Sequence, residues 1–200
     1  MHFVNVAVYG NGRKSMAILT LRDENKTLND PAEVSAFLDQ YGIWYRFFEG
    51  AATLSEDATN EDILAAFDEP IQQLMDEGDY VTADVIQLRP NTPNLDVMLD
   101  KFNKEHWHEE NEVRFIVEGS GLFHIHPKDG PIFSIEMFKG DMINVPKGTL
   151  HWFDLCKERQ IRAIRLFEDP AGWTPYYTDS KVDAGYQPMC FGPSYIPPQS

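Results

Sequence analysis

The residues best suited to chemistry lie in Glu105-His106-Trp107-His108-Glu109-Glu110-Asn111-Glu112-Val113-Arg114-Phe115, which reads H-x-H-x-x-x-E. A further histidine, His151, follows Glu112 by thirty-nine residues in the run Pro146-Lys147-Gly148-Thr149-Leu150-His151. Side chains alternate faces along a strand, so His106 and His108 can point the same way. Glu112 opens a β-like run through Val113, Phe115 and Val117, and a turn can return it beside the histidines. His151 would arrive on a second strand. Three neutral imidazoles and one carboxylate suit a divalent first-row metal, and in six-coordinate geometry they leave two positions open for substrate. An H-x-H pair alone is weak grounds for a metal. Here, however, five of the six histidines fall between positions 106 and 151, inside short apolar runs punctuated by Gly and Pro.

Other groups compete for roles nearby. His124 and His126 form a second H-x-H, but no carboxylate follows at the matching spacing, and Pro127-Lys128-Asp129-Gly130 reads as a turn. A structural or supporting role is expected for them. Arg114 stands two residues past Glu112 and shares its face. A guanidinium pointing into a barrel is costly unless it meets an anion. That anion is either a substrate, which makes Arg114 a catalytic candidate, or a carboxylate such as Glu105, Glu109 or Glu118. Glu105 and Glu110 flank the histidines, where a carboxylate can orient an imidazole N–H; Glu105 is taken as the second catalytic candidate. Phe153 shares the face of His151 and is a candidate pocket wall.

The elements that must position these groups are mainly β. Runs at 113–118, 121–126, 132–139, 142–145, 151–155 and 161–167 are separated by turn signals at Gly119, Lys128-Asp129-Gly130, Gly140 and Lys147-Gly148. Many short strands at that spacing indicate a sandwich or jelly-roll barrel. Upstream, residues 3–9 and 16–21 read as a hairpin about Gly10-Asn11-Gly12. Asp30-Pro31-Ala32-Glu33 opens a helix, with Val34, Phe37, Leu38 and Tyr41 inward and Gly42 at its end. Ile43 to Phe48 is an extended aromatic segment. Thr59 caps a second helix that Pro70 should kink or divide. Tyr80–Leu88 has no clear period, and Asn94–Asn103 reads as a short helix. After Asp179 the chain becomes an extended, proline-rich tail lying over the barrel.

These motifs resemble those of the cupin superfamily. His106, His108, Glu112 and Gly119 match its first motif, and Gly140, Pro146, Gly148 and His151 its second. Asp100 stands where the first motif usually opens with Gly, and Leu155 where the second usually closes with Asn; neither position is a ligand. A narrower resemblance, over roughly residues 80–178, is to the acireductone dioxygenase family. It is carried by Lys101-Phe102, Glu105-His106, Glu112-Val113-Arg114-Phe115, His151-Trp152-Phe153-Asp154, Ile164-Arg165-Leu166-Phe167 and Gly172-Trp173.

The resemblance implies a mainly β fold: one cupin jelly-roll domain over 1–200, with an N-terminal hairpin and peripheral helices over about 1–104. The metal-binding barrel core would cover about 80–178 and the tail 179–200. It implies one Fe2+ or Ni2+ per monomer, held by His106, His108, Glu112 and His151. It adds Arg165, Phe102 and Trp173 to Arg114 and Phe153 as substrate-binding residues. The substrate would be 1,2-dihydroxy-3-keto-5-methylthiopentene of methionine salvage, an enediolate whose charge Arg114 would meet, cleaved with O2. Fe2+ would give a 2-keto acid and formate, and Ni2+ a shorter acid, formate and carbon monoxide. Another metal-dependent cupin enzyme, or a cupin that binds metal without turnover, is the alternative.

Composition fits a folded globule: 42% hydrophobic and 12% aromatic residues over 200 positions suit one domain with a sizeable core. The excess of 32 acidic over 17 basic residues gives a net charge of −15, which disfavours nucleic acid and anionic membrane as partners. A small molecule is the expected partner and a monomer the expected state. Cys156 and Cys190 form no C-x-x-C or larger framework and are expected as separate thiols in a reducing compartment. No signal peptide or membrane-length apolar run is apparent, so a cytoplasmic location is expected.

Overall fold

The computed structural model describes residues 17–49, 53–169 and 174–196. Its strands are β1 (Ile18–Leu21), β2 (Lys26–Leu28), β3 (Trp44–Phe47), β4 (Thr82–Leu88), β5 (His106–Trp107), β6 (Glu112–His126), β7 (Phe133–Phe138), β8 (Asp141–Val145), β9 (Leu150–Leu155), β10 (Ile161–Phe167) and β11 (Tyr176–Tyr177). Four helices, α1 (Pro31–Asp39), α2 (Asn60–Ala66), α3 (Asp68–Glu77) and α4 (Leu95–Leu99), join or cover them. The mainly β class expected from the sequence is what forms. Of the expected first hairpin, residues 3–9 and 16 lie outside the described residues. Its second strand, β1, pairs with β2 on one side and β7 on the other.

The molecule is built on β6. Its first half pairs with β8 and β10, and its second half with β7 and β9. One strand therefore belongs to two curved layers, β4-β10-β6-β8-β3 and β2-β1-β7-β6-β9-β5-β11. The turn expected at Gly119 is corrected: the strand runs through it. Gly119 adopts φ +77°, and a Cβ there would lie 2.2 Å from the Gln160 carbonyl oxygen. The ladder with β10 skips one residue just before it, with Arg162 opposite Glu118 but Ala163 opposite Ile116. A bulge beside a glycine bends a strand without ending it, which is how one strand passes from one layer to the next.

Alternation along β6 then sorts its side chains. Val113, Phe115 and Val117 face outward, where Ile63 and Phe67 of α2 and its C-cap and Ile71 and Leu74 of α3 bury them. Each such burial is worth about 1.5–3 kcal/mol. Glu112, Arg114 and Ile116 face the opposite way, into the barrel. The helical layer is divided at Phe67 (φ −121°), and Pro70 sits in the first turn of α3, where its missing N–H goes unused. Thr59 and Asp62 close a reciprocal cap on α2, and the Asp30 side chain caps α1 by accepting the Ala32 and Glu33 amides. The segment 80–88, ambiguous in sequence, is β4, which pairs along its length with β10.

The cysteine expectation is also corrected. Cys156, at the end of β9, and Cys190, in the tail, are 5.9 Å apart at Cα and form a disulfide. Nothing in a spacing of 34 residues shows this; it follows from the tail running back across the outer face of the sheet. Among the described residues, no helix is long and apolar enough to cross a membrane.

Candidate active site

Four polar side chains are buried together at one end of the barrel: His106, His108, Glu112 and His151 are each at most 5% exposed. His106 and His151 are opposite one another in the β5–β9 pairing. His108 follows on the loop, and Glu112 opens β6. Imidazole centroids are separated by 4.5 Å for His106–His151, 5.0 Å for His106–His108 and 5.2 Å for His108–His151. Glu112 Oε2 lies 2.9 Å from His151 Nε2 and 3.1 Å from His108 Nε2. One donor atom from each of the four falls within 4.8 Å of all the others.

The outer nitrogens fix the tautomers. His106 Nδ1 donates to the Lys104 carbonyl at 2.6 Å, His108 Nδ1 to that of Thr174 at 2.9 Å, and His151 Nδ1 to that of Thr149 at 2.9 Å. A carbonyl only accepts, so each Nδ1 carries the proton and each Nε2 presents a lone pair inward. Lone pairs on His108 and His151 thus face a carboxylate oxygen at about hydrogen-bond distance with no proton between. Such an arrangement calls for a cation. In a six-coordinate first-row site with bonds of about 2.1 Å, cis donors stand about 3.0 Å apart, close to the two separations found here. Burial and the neighbouring His151 push His106 down to about 4, keeping it neutral. Burial pushes Glu112 up, but the neighbouring Arg114 guanidinium pulls it down, and the carboxyl stays well below its usual range.

Arg114 Nη2 lies 3.0 Å from Glu112 Oε1, so its partner is the nearest inward carboxylate rather than Glu105, Glu109 or Glu118. Burial lowers Arg114 to about 10, which leaves it charged at neutral pH. Together with His106, Glu112 and His151 it forms the polar end of a cavity of about 30 Å³. The other end is apolar: Phe102 and Phe153, expected from sequence, with Ile86, Leu88, Ile161 and Ala163, which were not. Those four come from β4 and β10, and the missed period of β4 concealed the first two. Phe153 lies over Gly121, where any Cβ would come within 2.4 Å of the ring.

Three expectations fall differently. Arg165 is the cross-strand neighbour of Arg114, but its guanidinium is held by Asp84 through bonds of 2.7 and 2.5 Å. Glu105 precedes His106 and so points to the opposite face. There it accepts from His126 Nδ1 at 2.7 Å, Ser180 at 2.5 Å and Thr178. It touches neither the cavity nor a ligand imidazole; backbone carbonyls do the orienting foreseen for Glu105 and Glu110. Glu110 instead accepts the amides of Glu168 and Asp169. Trp173 lies outside the described residues.

A model of the ARD/ARD′ family matches residues 43–175. An acireductone dioxygenase of Picosynechococcus sp. is 40% identical over 172 residues, which cover 86% of this chain and 98% of that protein. Another from Bacillus velezensis is 40% identical over 176 residues, covering 84% and 99%. Among solved structures, the acireductone dioxygenase from Bacillus anthracis with a cadmium ion in its active centre aligns with a TM-score of 0.73 at 37% identity. That alignment covers 82% of this chain and 99% of the other.

Proposed function

The chain belongs to the ARD/ARD′ family, and from that premise we propose how its buried residues carry out the oxidative cleavage of an acireductone. The protein is a metal-dependent acireductone dioxygenase of methionine salvage. In our reading His106, His108, Glu112 and His151 hold Fe2+ or Ni2+, one ion per monomer, because their donors are neutral or anionic, buried and aimed at one point. When bound, the ion supplies Lewis acidity toward the enediolate oxygens and permits an electron-rich dianion to react with O2. The substrate is 1,2-dihydroxy-3-keto-5-methylthiopentene.

The chain's own residues do the rest. Arg114 places a fixed positive charge beside the polar end of the cavity, which stabilises the deprotonated substrate there. Phe102, Phe153, Ile86 and Leu88 exclude water and receive the methylthio arm. A cavity of about 30 Å³ holds roughly one water, so the half-buried Phe102 and Phe153 rings must move aside as substrate enters. The observation that supports this reading best is the pairing of histidine lone pairs with the Glu112 carboxylate at the foot of an apolar pocket.

The test is reconstitution of one metal-free preparation with Fe2+ and, separately, with Ni2+. Both forms should consume O2 with the acireductone. The Fe2+ form should yield 4-methylthio-2-oxobutanoate and formate, and the Ni2+ form 3-methylthiopropanoate, formate and carbon monoxide. Identical products from the two forms would sink metal control of the outcome.

A further inference from the structure

Away from the barrel's buried histidines, Glu136, Cys156 and Cys190 form a second cluster, their donor atoms within 4.8 Å of one another. We propose that the Cys156–Cys190 bridge is a reversible thiol-exchange site, in which a small-molecule thiol enters the adjoining cavity and attacks Cys190 Sγ while Glu136 protonates the departing Cys156. That cavity, about 510 Å³, is large enough for a peptide-sized thiol, and Lys157, Glu158, Gln160 and Ser120 give it polar walls. Cys190 lines it and is half-buried. Cys156, only 4% exposed, does not line it. Exchange is governed by which sulfur can be reached, so attack falls on Cys190.

The leaving group determines the rest. The incoming thiol gives its proton to solvent and its sulfur bonds to Cys190 Sγ. The Cys156–Cys190 bond breaks and its electron pair goes to Cys156 Sγ. A buried thiolate is a poor leaving group unless a proton is at hand. Glu136 Oε1 stands 3.6 Å from that sulfur. Burial raises the Glu136 carboxyl, against the opposing pull of the Phe191 and Gly192 amides, which favours its holding a proton. A second thiol attacking the small-molecule sulfur of the mixed disulfide frees Cys190 and departs as the oxidised disulfide. The reverse sequence recloses the bridge. Reclosure is favoured because Glu136 also accepts the Phe191 amide at 2.7 Å and the Gly192 amide at 3.1 Å, holding the tail in place while the bridge is open.

The experiment treats the folded, full-length protein with reduced glutathione, quenches it in acid at intervals and maps the cysteine-bearing peptides by mass spectrometry. The expected intermediate carries glutathione on Cys190 with Cys156 as a free thiol. Glu136→Gln should give the same adduct about a hundredfold more slowly, the low end of what losing a general acid costs. An adduct chiefly on Cys156 overturns the proposal. So does an inert bridge at a thiol concentration that reduces the urea-unfolded chain, and so does an unchanged rate in Glu136→Gln. No turnover is measured, so the outcome is separate from that of the dioxygenase assay.

Discussion

The molecule contains two H-x-H pairs, one at the end of β5 and one on β6, and they meet opposite fates. His106 and His108 turn inward and share Glu112 with His151. His124 and His126 turn outward. His124 stacks flat on Trp152, centroids 4.8 Å apart at 9°, and bonds Ser134 at 2.8 Å. His126 bonds Glu105. Strand parity explains the difference. Ile125 pairs with His151 across β6 and β9, so the side chains flanking Ile125 face away from the site. Residue type and spacing are alike in the two pairs; what separates them is the face they occupy, because inside one carboxylate oxygen meets two imidazoles, whereas outside His126 meets Glu105 and His124 meets Asp154 separately. The outer pair is then covered by the tail, through Tyr186 against His124 and Trp152 and through Ser180 against Glu105.

The sharpest break of this comparison is to remove one inner donor and, separately, one outer histidine. His151→Ala or Glu112→Ala should lose bound metal, measured by elemental analysis. O2 uptake should fall on the order of a thousandfold or more, since Lewis-acid chemistry is worth several kcal/mol. His124→Ala should keep its metal at full occupancy. Loss of metal from His124→Ala would put the outer pair in the site.

Arg114→Met tests the inner face without touching a proposed ligand. Metal should stay, because four donors remain, while turnover falls about 10²–10³-fold, the usual consequence of removing a fixed charge from developing or stabilised negative charge. Activity within a few-fold of the parent would leave Arg114 as the structural partner of Glu112 only.

How far the sequence foretold this layout depends on whether local pattern or long-range return was at stake. The inner set could be read because H-x-H-x-x-x-E is local, and His151 lies in a P-x-G turn that places it. The helices at Asp30 and Thr59 announced themselves by caps, and the division near Pro70 by its ring. The fate of Glu105 was legible in principle from parity with His106, but its proximity in sequence to the ligands masked that. β4 could not be read, since its faces meet the helices and the cavity and neither is polar throughout. Arg165 could not be separated from Arg114 without seeing that Asp84 stands opposite it on β4. The disulfide depended on the path of the tail, which no local periodicity encodes. Gly119 read as a turn because φ > 0 serves a bend within a strand as well as its end.

Opening the bridge probes the cover over the outer pair. In a chain-entropy account a 34-residue loop contributes about 3–4 kcal/mol, so Cys190→Ser should lower the urea midpoint by a corresponding amount. Metal content should not change, because the inner donors hang on β5, β6 and β9 and the loop between β5 and β6. A fall in metal content would mean that the tail supports the inner pair as well.

The smallest expected effect is at the junction where the two pairs come nearest. Glu105 belongs to the backbone of the inner pair but spends its side chain on the outer one, accepting from His126, Ser180 and Thr178. Burial raises its carboxyl, yet those three donors outweigh burial and hold it below the usual range. His126→Gln keeps one N–H donor toward Glu105 Oε1 but removes any imidazolium charge, whereas His126→Ala removes the donor and leaves the 1%-exposed carboxylate with two hydroxyl partners. The loss of a hydrogen bond to a buried charged group costs about 1.5–3 kcal/mol, so His126→Ala should be destabilised by that amount and His126→Gln by less. Turnover should change only a few-fold in either, because the ordering of His106 comes from the Lys104 carbonyl and not from Glu105. Urea titration beside O2 uptake measures both quantities in one pair of proteins. A hundredfold loss of turnover with stability unchanged would restore Glu105 to the reacting atoms, and the separation between inner and outer faces would no longer hold at this residue.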